Sequence, residues 1–230
     1  MNPWPQAVLF DFDGVIVNSE PLHFRAFYNV LMEEKIEISE REYYRELIGF
    51  DDRGAFRHVF ASRKRELDPK TFLRVLTRKS EATMELIQSR KYTALPGVEK
   101  FVRGLWRNYP LAICSGALRD EIEAMLEGVN LRDCFQVIVA AQDVTIGKPD
   151  PQGYLMTVKL LSEKAKVPLT PADCLIVEDA PSVIRSVKAV GFRTIGVATS
   201  YPLEKLTDAT YALPSLHSEV VQAAVPELKL

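Results

Sequence analysis

Two aspartates, Asp11 and Asp13, stand one residue apart at the end of an apolar run in the segment LFDFDGVIVNSE. Packing gives no reason to place two like charges there, because neighbouring carboxylates repel and raise each other's pKa. If the strand stays extended through Asp13, both side chains point to the same side, since side chains in a strand alternate with a period of two. Gly14 then allows the chain to turn. The pair therefore indicates a nearby cation and a reaction that uses both carboxylates.

Other polar residues follow later apolar runs. Ser115 and Gly116 follow one run, Glu178 and Asp179 follow another, and Lys148 lies in the loop TIGKPDP. In an open parallel sheet, ligands bind outside the carboxyl ends of the strands. With the first aspartate pair, four carboxylates would meet there, and such a cluster needs a counter-charge. Oxygen-rich ligation favours Mg²⁺ before Ca²⁺, and Lys148 can add a fixed positive charge.

Short apolar runs that end at polar or glycine-bearing turns predict the strands. Their near-continuous hydrophobicity is typical of a parallel sheet buried on both faces. The runs are Ala7–Gly14, Leu111–Gly116, Gln136–Ala141, Cys174–Asp179 and Arg193–Ala198. Helical patterns separate them, and this alternation predicts an α/β fold with a doubly wound, Rossmann-like parallel sheet.

Two of these helical patterns carry end signals. DPQGYLMTVKLL opens with Asp150 as a candidate N-cap and Pro151 at the first helical position. PSVIRSVKAVG closes on Gly191. Its apolar residues share one helical face. They are Val183, Ile184, Val187 and Val190.

From about residue 21 to 95 the sequence shows no convincing strand. Ser39 and Glu42 form a capping-box pattern, and that helix is predicted to end on Gly49. A second helix begins with Asp68 and Pro69. Its apolar residues at helical spacing are Phe72, Leu73, Leu76, Leu86 and Ile87. An insertion this long is not a structureless loop. We therefore predict a catalytic core of residues 1–20 and 95–230 and an inserted helical cap of residues 21–94.

Four motifs carry a resemblance to a known family. DFDGVIVNSE, CSG, GKPDP and VEDAPSVIRSVKAVG, in that order, resemble the motifs of the haloacid dehalogenase-like hydrolase superfamily. The branch that the sequence resembles contains beta-phosphoglucomutases and sugar-phosphate phosphatases, whose helical cap follows the first motif. The resemblance covers essentially the whole chain. It implies a Mg²⁺-dependent phosphomonoester hydrolase that acts on a small phosphorylated metabolite such as a sugar or polyol phosphate.

The resemblance also implies roles for the acidic residues. Asp11 would attack phosphorus and form an aspartyl-phosphate, and its other oxygen would bind Mg²⁺. Asp13 would protonate the leaving oxygen and then deprotonate water, with its backbone carbonyl on the metal. Asp179 would be a metal ligand, with Glu178 as a further ligand or its neighbour. A simpler alternative for Asp179 is the N-cap of the helix that starts near Pro181.

The resemblance places phosphate-binding groups as well. Ser115 and nearby backbone N–H groups, including that of Gly116, would hold phosphoryl oxygens, and Lys148 would offset negative charge. The alternative for Ser115 is turn chemistry. His23 stands where mutase members carry a histidine, so it is a candidate substrate contact. A histidine in the interior of the cap, or on the surface, is about as well supported.

Two other function classes stay open. In a phosphomutase, the phosphoryl group returns to a sugar hydroxyl. His23 favours this reaction. Mutase members carry a serine and a lysine where this sequence has Ala117 and Leu118, and this difference counts against it. A non-catalytic binding protein on the same fold is a minor alternative. Loss of Asp11, Asp13 or Lys148 would indicate such a protein, and all three residues are present. Dehalogenase chemistry is disfavoured, since that reaction uses neither Asp13 nor a metal site.

The composition of the chain limits which binding partners and which cellular compartment are expected. The chain has 230 residues, 47% of them hydrophobic, and a formal net charge of −2, so nucleic acid is not expected as a partner. Its three cysteines lie far apart without metal-site spacing. The first residues lack the pattern of a signal peptide, and no apolar run approaches the roughly 20 residues of a membrane span. We expect a cytoplasmic protein without membrane partners, and a monomer.

Overall fold

The chain forms two compact units in the computed structural model, which describes residues 4–47, 50, 52–89 and 92–230. The first, which we call the core unit, comprises Met1–Asn18 and Thr93–Leu230. The second, the helical unit, comprises Ser19–Tyr92. None of the helices in the described ranges is both long and apolar enough to cross a membrane.

The core unit is built on a six-stranded sheet in which every neighbouring pair of strands is parallel. The strands are β1 (Ala7–Phe10), β2 (Leu111–Cys114), β3 (Val137–Val139), β4 (Cys174–Glu178), β5 (Arg193–Val197) and β6 (Tyr211–Leu213). Their order in the sheet is β3-β2-β1-β4-β5-β6. The predicted doubly wound α/β fold is therefore confirmed, and the strand order reverses direction at β1 and β4.

The five predicted strands are present, and each is shorter than its apolar run. β1 ends at Phe10, so Asp11 and Asp13 both follow the strand, and the extended structure through Asp13 that would point their side chains to the same side is absent. The carbonyl of Phe12 accepts hydrogen bonds from the N–H groups of Val15, Ile16 and Val17, which turns the chain away from the sheet. Strand β6 was not predicted; it is only three residues long and its middle residue is exposed, so it lacks a continuous apolar signal.

Helices cover the sheet of the core unit. They are α5 (Val98–Trp106), α6 (Arg119–Gly128), α7 (Gln152–Ala165), α8 (Pro181–Ala189) and α9 (Ser218–Ala224). Helix α7 starts one residue later than predicted: Pro151 is the N-cap, and Asp150 Oδ1 accepts the N–H of Gln152 at 2.9 Å. Val190 lies beyond the end of α8 and is 37% exposed, so it does not share the helical face of the other three apolar residues as predicted.

The helical unit contains α1 (Glu20–Glu33), α2 (Glu40–Glu46), α3 (Asp52–Ser62) and α4 (Pro69–Gln88). Ser39 Oγ accepts the N–H of Glu42 at the start of α2, and Asp68 accepts two N–H groups at the start of α4. The predicted helix end at Gly49 lies outside the described residues. Leu73 has the helical spacing of the apolar residues of α4 and is nevertheless 67% exposed. A separate apolar cluster that includes Phe27 and Phe56 forms the interior of this unit.

Candidate active site

The carboxyl ends of β1 and β4 bring three acidic residues together. Asp11 directly follows β1, Glu178 is the last residue of β4, and Asp179 follows it. The two strands are neighbours, with Phe10 opposite Val177, so their ends place these side chains side by side. The sheet thereby gathers residues that lie more than 160 positions apart in the sequence, at the point where doubly wound sheets bind ligands.

These three carboxylates form a buried cluster. One oxygen from each of Asp11, Glu178 and Asp179 lies within 4.8 Å of the others, and the residues are 8%, 0% and 4% exposed. The carboxylate of Asp13 is not part of this group, although the sequence predicted four carboxylates together. Asp13 sits in the turn after β1, where its backbone bridges to Val17. The loss of extended structure after Phe10 explains the difference.

Lys148 supplies positive charge to the cluster. Its Nζ donates to Asp11 Oδ1 at 2.6 Å and to Glu178 Oε1 at 3.3 Å. A third hydrogen bond, of 3.2 Å, goes to the hydroxyl of Tyr154. The other oxygen of Glu178 accepts the N–H of Asp179 at 3.0 Å. The predicted proximity of Lys148 to Asp11 is therefore seen in the structure.

Burial and mutual repulsion shift the pKa of these groups. Burial, and then the Asp11 carboxylate, raises the pKa of Glu178 well above its ordinary value, while Lys148 opposes the shift. The same two causes raise the pKa of Asp179 to about 6. Burial alone would lower the pKa of Lys148, but the carboxylates of Asp11 and Glu178 raise it well above its ordinary value. The cluster is thus short of positive charge.

A divalent metal ion would supply the positive charge that the cluster lacks. Three ionised carboxylates beside one ammonium leave two net negative charges, which one divalent cation neutralises. The donors are all oxygens, which hard cations prefer, and their spacing allows one ion to contact all three residues. Asp11, Glu178 and Asp179 are therefore the residues that could hold the metal.

Gly14 leaves room for the Asp179 carboxylate. Its φ of +74° lies in the left-handed region, and a Cβ built there would overlap Asp179 Oδ2 and lie 2.8 Å from Ser200 Oγ. We expect Gly14→Ala to lower divalent-cation affinity at least tenfold, because the methyl group displaces the Asp179 carboxylate, one of the three groups that could hold the metal. The backbone strain should also destabilise the protein by about 1–2 kcal/mol. Calorimetric titration with the metal and thermal unfolding measure the two effects.

Gly147→Ala is the matched control for this substitution. A Cβ at Gly147 has no atom within 4 Å, and its φ lies outside the left-handed region. We expect this variant to bind the metal with nearly unchanged affinity. Equal affinity of the two alanine variants would contradict a metal site that includes the Asp179 carboxylate.

Ser115 and Gly116 lie just after β2, the strand next to β1. Ser115 is buried; its N–H donates to the Val139 carbonyl, and its Oγ accepts the N–H of Ala117 at 3.0 Å. This is the turn chemistry that was the alternative for Ser115. The hydroxyl proton of Ser115 remains available to donate, so the turn and a phosphate-binding role are compatible.

His23 lies in the helical unit, on α1. Its Nδ1 is 2.9 Å from the Nζ of Lys79, which also contacts Asp52 Oδ1 at 2.9 Å. Desolvation, and then the charge of Lys79, lowers the pKa of His23 to about 3, so the ring is neutral near pH 7 and Nδ1 accepts from the ammonium. His23 is half-buried and belongs to a polar group of the helical unit.

Two residues near the cluster were not predicted as site residues. Tyr154 is fully buried on α7 and contacts Lys148. Ser200, after β5, hydrogen-bonds the carboxylate of Asp179 and thereby opposes the rise of its pKa. The signal for Tyr154 was its place in GKPDPQGY, in the first turn of the helix that follows Lys148. Ser200 had no signal beyond its position after a predicted strand.

Comparison with known proteins assigns the family. The model for the haloacid dehalogenase-like hydrolases matches residues 8–197, which is most of the chain. The protein belongs to this family. The membership agrees with the resemblance carried by the four sequence motifs, and it makes the cluster at the ends of β1 and β4 the candidate active site of a hydrolase.

Two relatives align over nearly their full length. Hexitol phosphatase A of Escherichia coli K12 is 28% identical over 214 residues, which cover 93% of this chain and 92% of that protein. Beta-phosphoglucomutase of Bacillus subtilis 168 is 26% identical over 233 residues, covering 96% and 98%. The crystal structure of CbbY from Rhodobacter sphaeroides in complex with phosphate matches the fold with a TM-score of 0.79 at 23% identity, covering 98% of this chain and 99% of that one.

Proposed function

We propose that the protein is a Mg²⁺-dependent phosphomonoester hydrolase that acts on a small phosphorylated metabolite, such as a sugar or polyol phosphate. One observation carries the proposal: the Asp11 carboxylate lies at the end of β1, bonded to Lys148 and grouped with two further buried carboxylates. Family membership and the phosphatase among the relatives support it.

Asp11 is the nucleophile in this proposal. Lys148 holds Oδ1 and leaves the other oxygen of the carboxylate to attack phosphorus. The bond from phosphorus to the leaving oxygen breaks as the bond to Asp11 forms, which gives an aspartyl-phosphate. Asp13 donates a proton to the leaving oxygen, then accepts a proton from the water that releases phosphate. Ser115 Oγ–H and the N–H of Gly116 hold the phosphoryl oxygens, and the charge of Lys148 offsets the negative charge of the nucleophile and the phosphate.

Mg²⁺ is the cofactor in this proposal, held by the carboxylates of Asp11, Asp179 and Glu178 and by the backbone carbonyl of Asp13. When bound, Mg²⁺ supplies positive charge that orients the reacting groups and offsets the charge of the phosphate. The chain's own residues set where it binds, because all three carboxylates come from the ends of adjacent strands.

Residues 21–94 form the substrate-selecting cap in this proposal, and residues 1–20 and 95–230 the catalytic core. A cap of this kind selects the organic part of the substrate and excludes water during transfer. His23 is kept as a candidate substrate contact. We place the protein in the cytoplasm as a monomer, without membrane or nucleic-acid partners.

Phosphate release tests the function. The protein is incubated with a panel of sugar, polyol and glycolate phosphates, with Mg²⁺ and with a chelator. We expect release from at least one monoester, dependent on Mg²⁺. Lack of release from every compound, by protein that binds Mg²⁺ and is folded, would contradict the proposal and favour a non-catalytic binding protein.

A phosphomutase is the second candidate, favoured by the beta-phosphoglucomutase among the relatives. In a mutase, the aspartyl-phosphate is transferred to a sugar hydroxyl in place of water. Ala117 and Leu118 provide fewer groups to bind a doubly phosphorylated intermediate than the serine and lysine of mutase members do. Isomerisation of beta-glucose 1-phosphate, faster than release of phosphate from it, would establish the mutase.

Metal binding should weaken as the pH falls through about 6. The pKa of Asp179 is raised to about 6 without a metal, so below that pH the metal must displace a proton. Because the pKa of Glu178 is raised as well, we expect Mg²⁺ affinity to fall at least tenfold for each pH unit below about 6. Because the folded-state pKa lies above the ordinary value, this proton stabilises the metal-free protein at low pH, and that contribution is lost as the pH rises through about 6.

Calorimetric titrations with Mg²⁺ at several pH values measure the affinity. Proton release, obtained from titrations in buffers of different ionisation enthalpy, gives a second readout, because binding near the pKa should release a proton. An affinity that does not change with pH, without proton release, would contradict the role of Asp179 as a ligand.

A further inference from the structure

Tyr154 places a hydroxyl in the polar cluster without contact with solvent. The residue lies in the first turn of α7 and is 0% exposed. Its hydroxyl oxygen is 3.2 Å from the Nζ of Lys148, and that Nζ lies 4.8 Å from the centroid of the tyrosine ring. The ammonium of Lys148 thus rests against both the ring and its hydroxyl.

The three donors of the Lys148 ammonium match three acceptors. An ammonium group has three N–H bonds and no acceptor. The structure pairs Nζ with Asp11 Oδ1, Glu178 Oε1 and the Tyr154 hydroxyl. Two of these partners are carboxylates that would also serve the metal, so the tyrosine is the partner with no other role in the site.

We propose that Tyr154 is a positioning residue for Lys148: its hydroxyl fixes the third N–H of the ammonium, so that the charge is oriented before substrate binds. This inference rests on the proposed phosphohydrolase function. Phosphoryl transfer depends mostly on the position of charges, and a group held in place needs little reorganisation during the reaction.

The aromatic ring of Tyr154 has a separate, structural role. It packs in the apolar cluster of the core unit, with its centroid 6.3 Å from that of Phe192. A purely structural tyrosine would need the ring and not the hydroxyl. Tyr154→Phe keeps the ring and removes only the acceptor of Lys148, so this substitution separates the two roles.

The first experiment compares Tyr154→Phe with Tyr211→Phe. Tyr211 is the control because its hydroxyl contacts the exposed Glu227 and not the cluster. We expect Tyr154→Phe to lower kcat about tenfold with KM changed less than twofold, the size expected for one hydrogen bond to a charged group. The control should keep both parameters. Both variants should fold, and only Tyr154→Phe should unfold several degrees below the wild type, because one N–H of the ammonium loses its acceptor.

A double-mutant cycle tests whether Tyr154 acts through Lys148. In the Lys148→Met background, the loss of the tyrosine hydroxyl should change the residual rate less than twofold, because the group that it positions is gone. A tenfold loss in that background as well would overturn the inference. An unchanged kcat for Tyr154→Phe alone would overturn it too.

A third readout does not depend on activity. In the wild-type protein, the ammonium of Lys148, with all three N–H bonds paired, should give a ¹H–¹⁵N cross-peak that exchanges slowly with water, and Tyr154→Phe should broaden it. An unchanged cross-peak overturns the inference even if hydrolysis is observed. A broadened peak in a protein that hydrolyses no phosphate would instead refute the proposed function, and the positioning role with it.

Discussion

Asp11→Asn should reduce phosphate release by on the order of 10⁴-fold or more, because an amide oxygen does not replace the carboxylate nucleophile. Lys148 would still form an ion pair with Glu178, 3.3 Å away, so the ammonium would keep a counter-charge. Loss of the Asp11 charge also removes one of the causes that raise the pKa of Glu178 and Asp179. The variant should therefore fold.

Steady-state kinetics with the best substrate of the panel measure this effect. Thermal unfolding shows whether the variant is folded, and we expect a transition at or above the wild-type temperature. Asp208→Asn is a suitable control, since Asp208 pairs with the exposed Arg185 away from the cluster. Activity of Asp11→Asn within tenfold of wild type would rule out Asp11 as the nucleophile.

Asp13→Ala should separate the two halves of the reaction. With a sugar phosphate, whose leaving oxygen needs a proton, we expect a loss of about 10²- to 10⁴-fold in kcat. With p-nitrophenyl phosphate, the leaving group is stable as an anion, so the first transfer should need Asp13 less. The second step, hydrolysis of the aspartyl-phosphate, should remain slow because no base activates the water.

The expected result with p-nitrophenyl phosphate is a burst. About one equivalent of nitrophenol per enzyme should appear quickly, followed by slow turnover, as for covalent intermediates that accumulate. Stopped-flow absorbance measures the burst and the later phase. Equal fractional loss of activity with both substrates, without a burst, would contradict the assignment of Asp13 as the acid and base.

Much of the core unit could be predicted from sequence because its strands are short and buried on both faces. A short, continuous apolar run such as CLIVED is typical of a central parallel strand. Glu178 and Asp179 stand at the end of this run, so they were expected at the carboxyl end of the strand. Lys148 and Asp11 lie 137 residues apart, so only the predicted sheet, and the order of the motifs, could suggest their contact.

The errors have local physical causes. The predicted grouping of Asp13 with the other carboxylates depends on a chain that stays extended past Phe10, whereas the backbone hydrogen bonds to the Phe12 carbonyl turn the chain there. Leu73 has the helical spacing of the apolar residues of α4, and it is nevertheless exposed. Helical spacing does not determine which residues at the margin of an apolar helix face are buried. The position of the Tyr154 hydroxyl depends on how α7 packs, which periodicity does not describe.

The most direct test of the central claim is whether the phosphoryl group passes through Asp11. The protein is mixed with substrate and Mg²⁺, quenched in acid within milliseconds, reduced with borohydride and digested for mass spectrometry. An aspartyl-phosphate at position 11 would be reduced to homoserine at that position. We predict homoserine at residue 11 in the wild type and none in Asp11→Asn. Release of phosphate without any modification of residue 11, or with modification at another residue, would contradict the account.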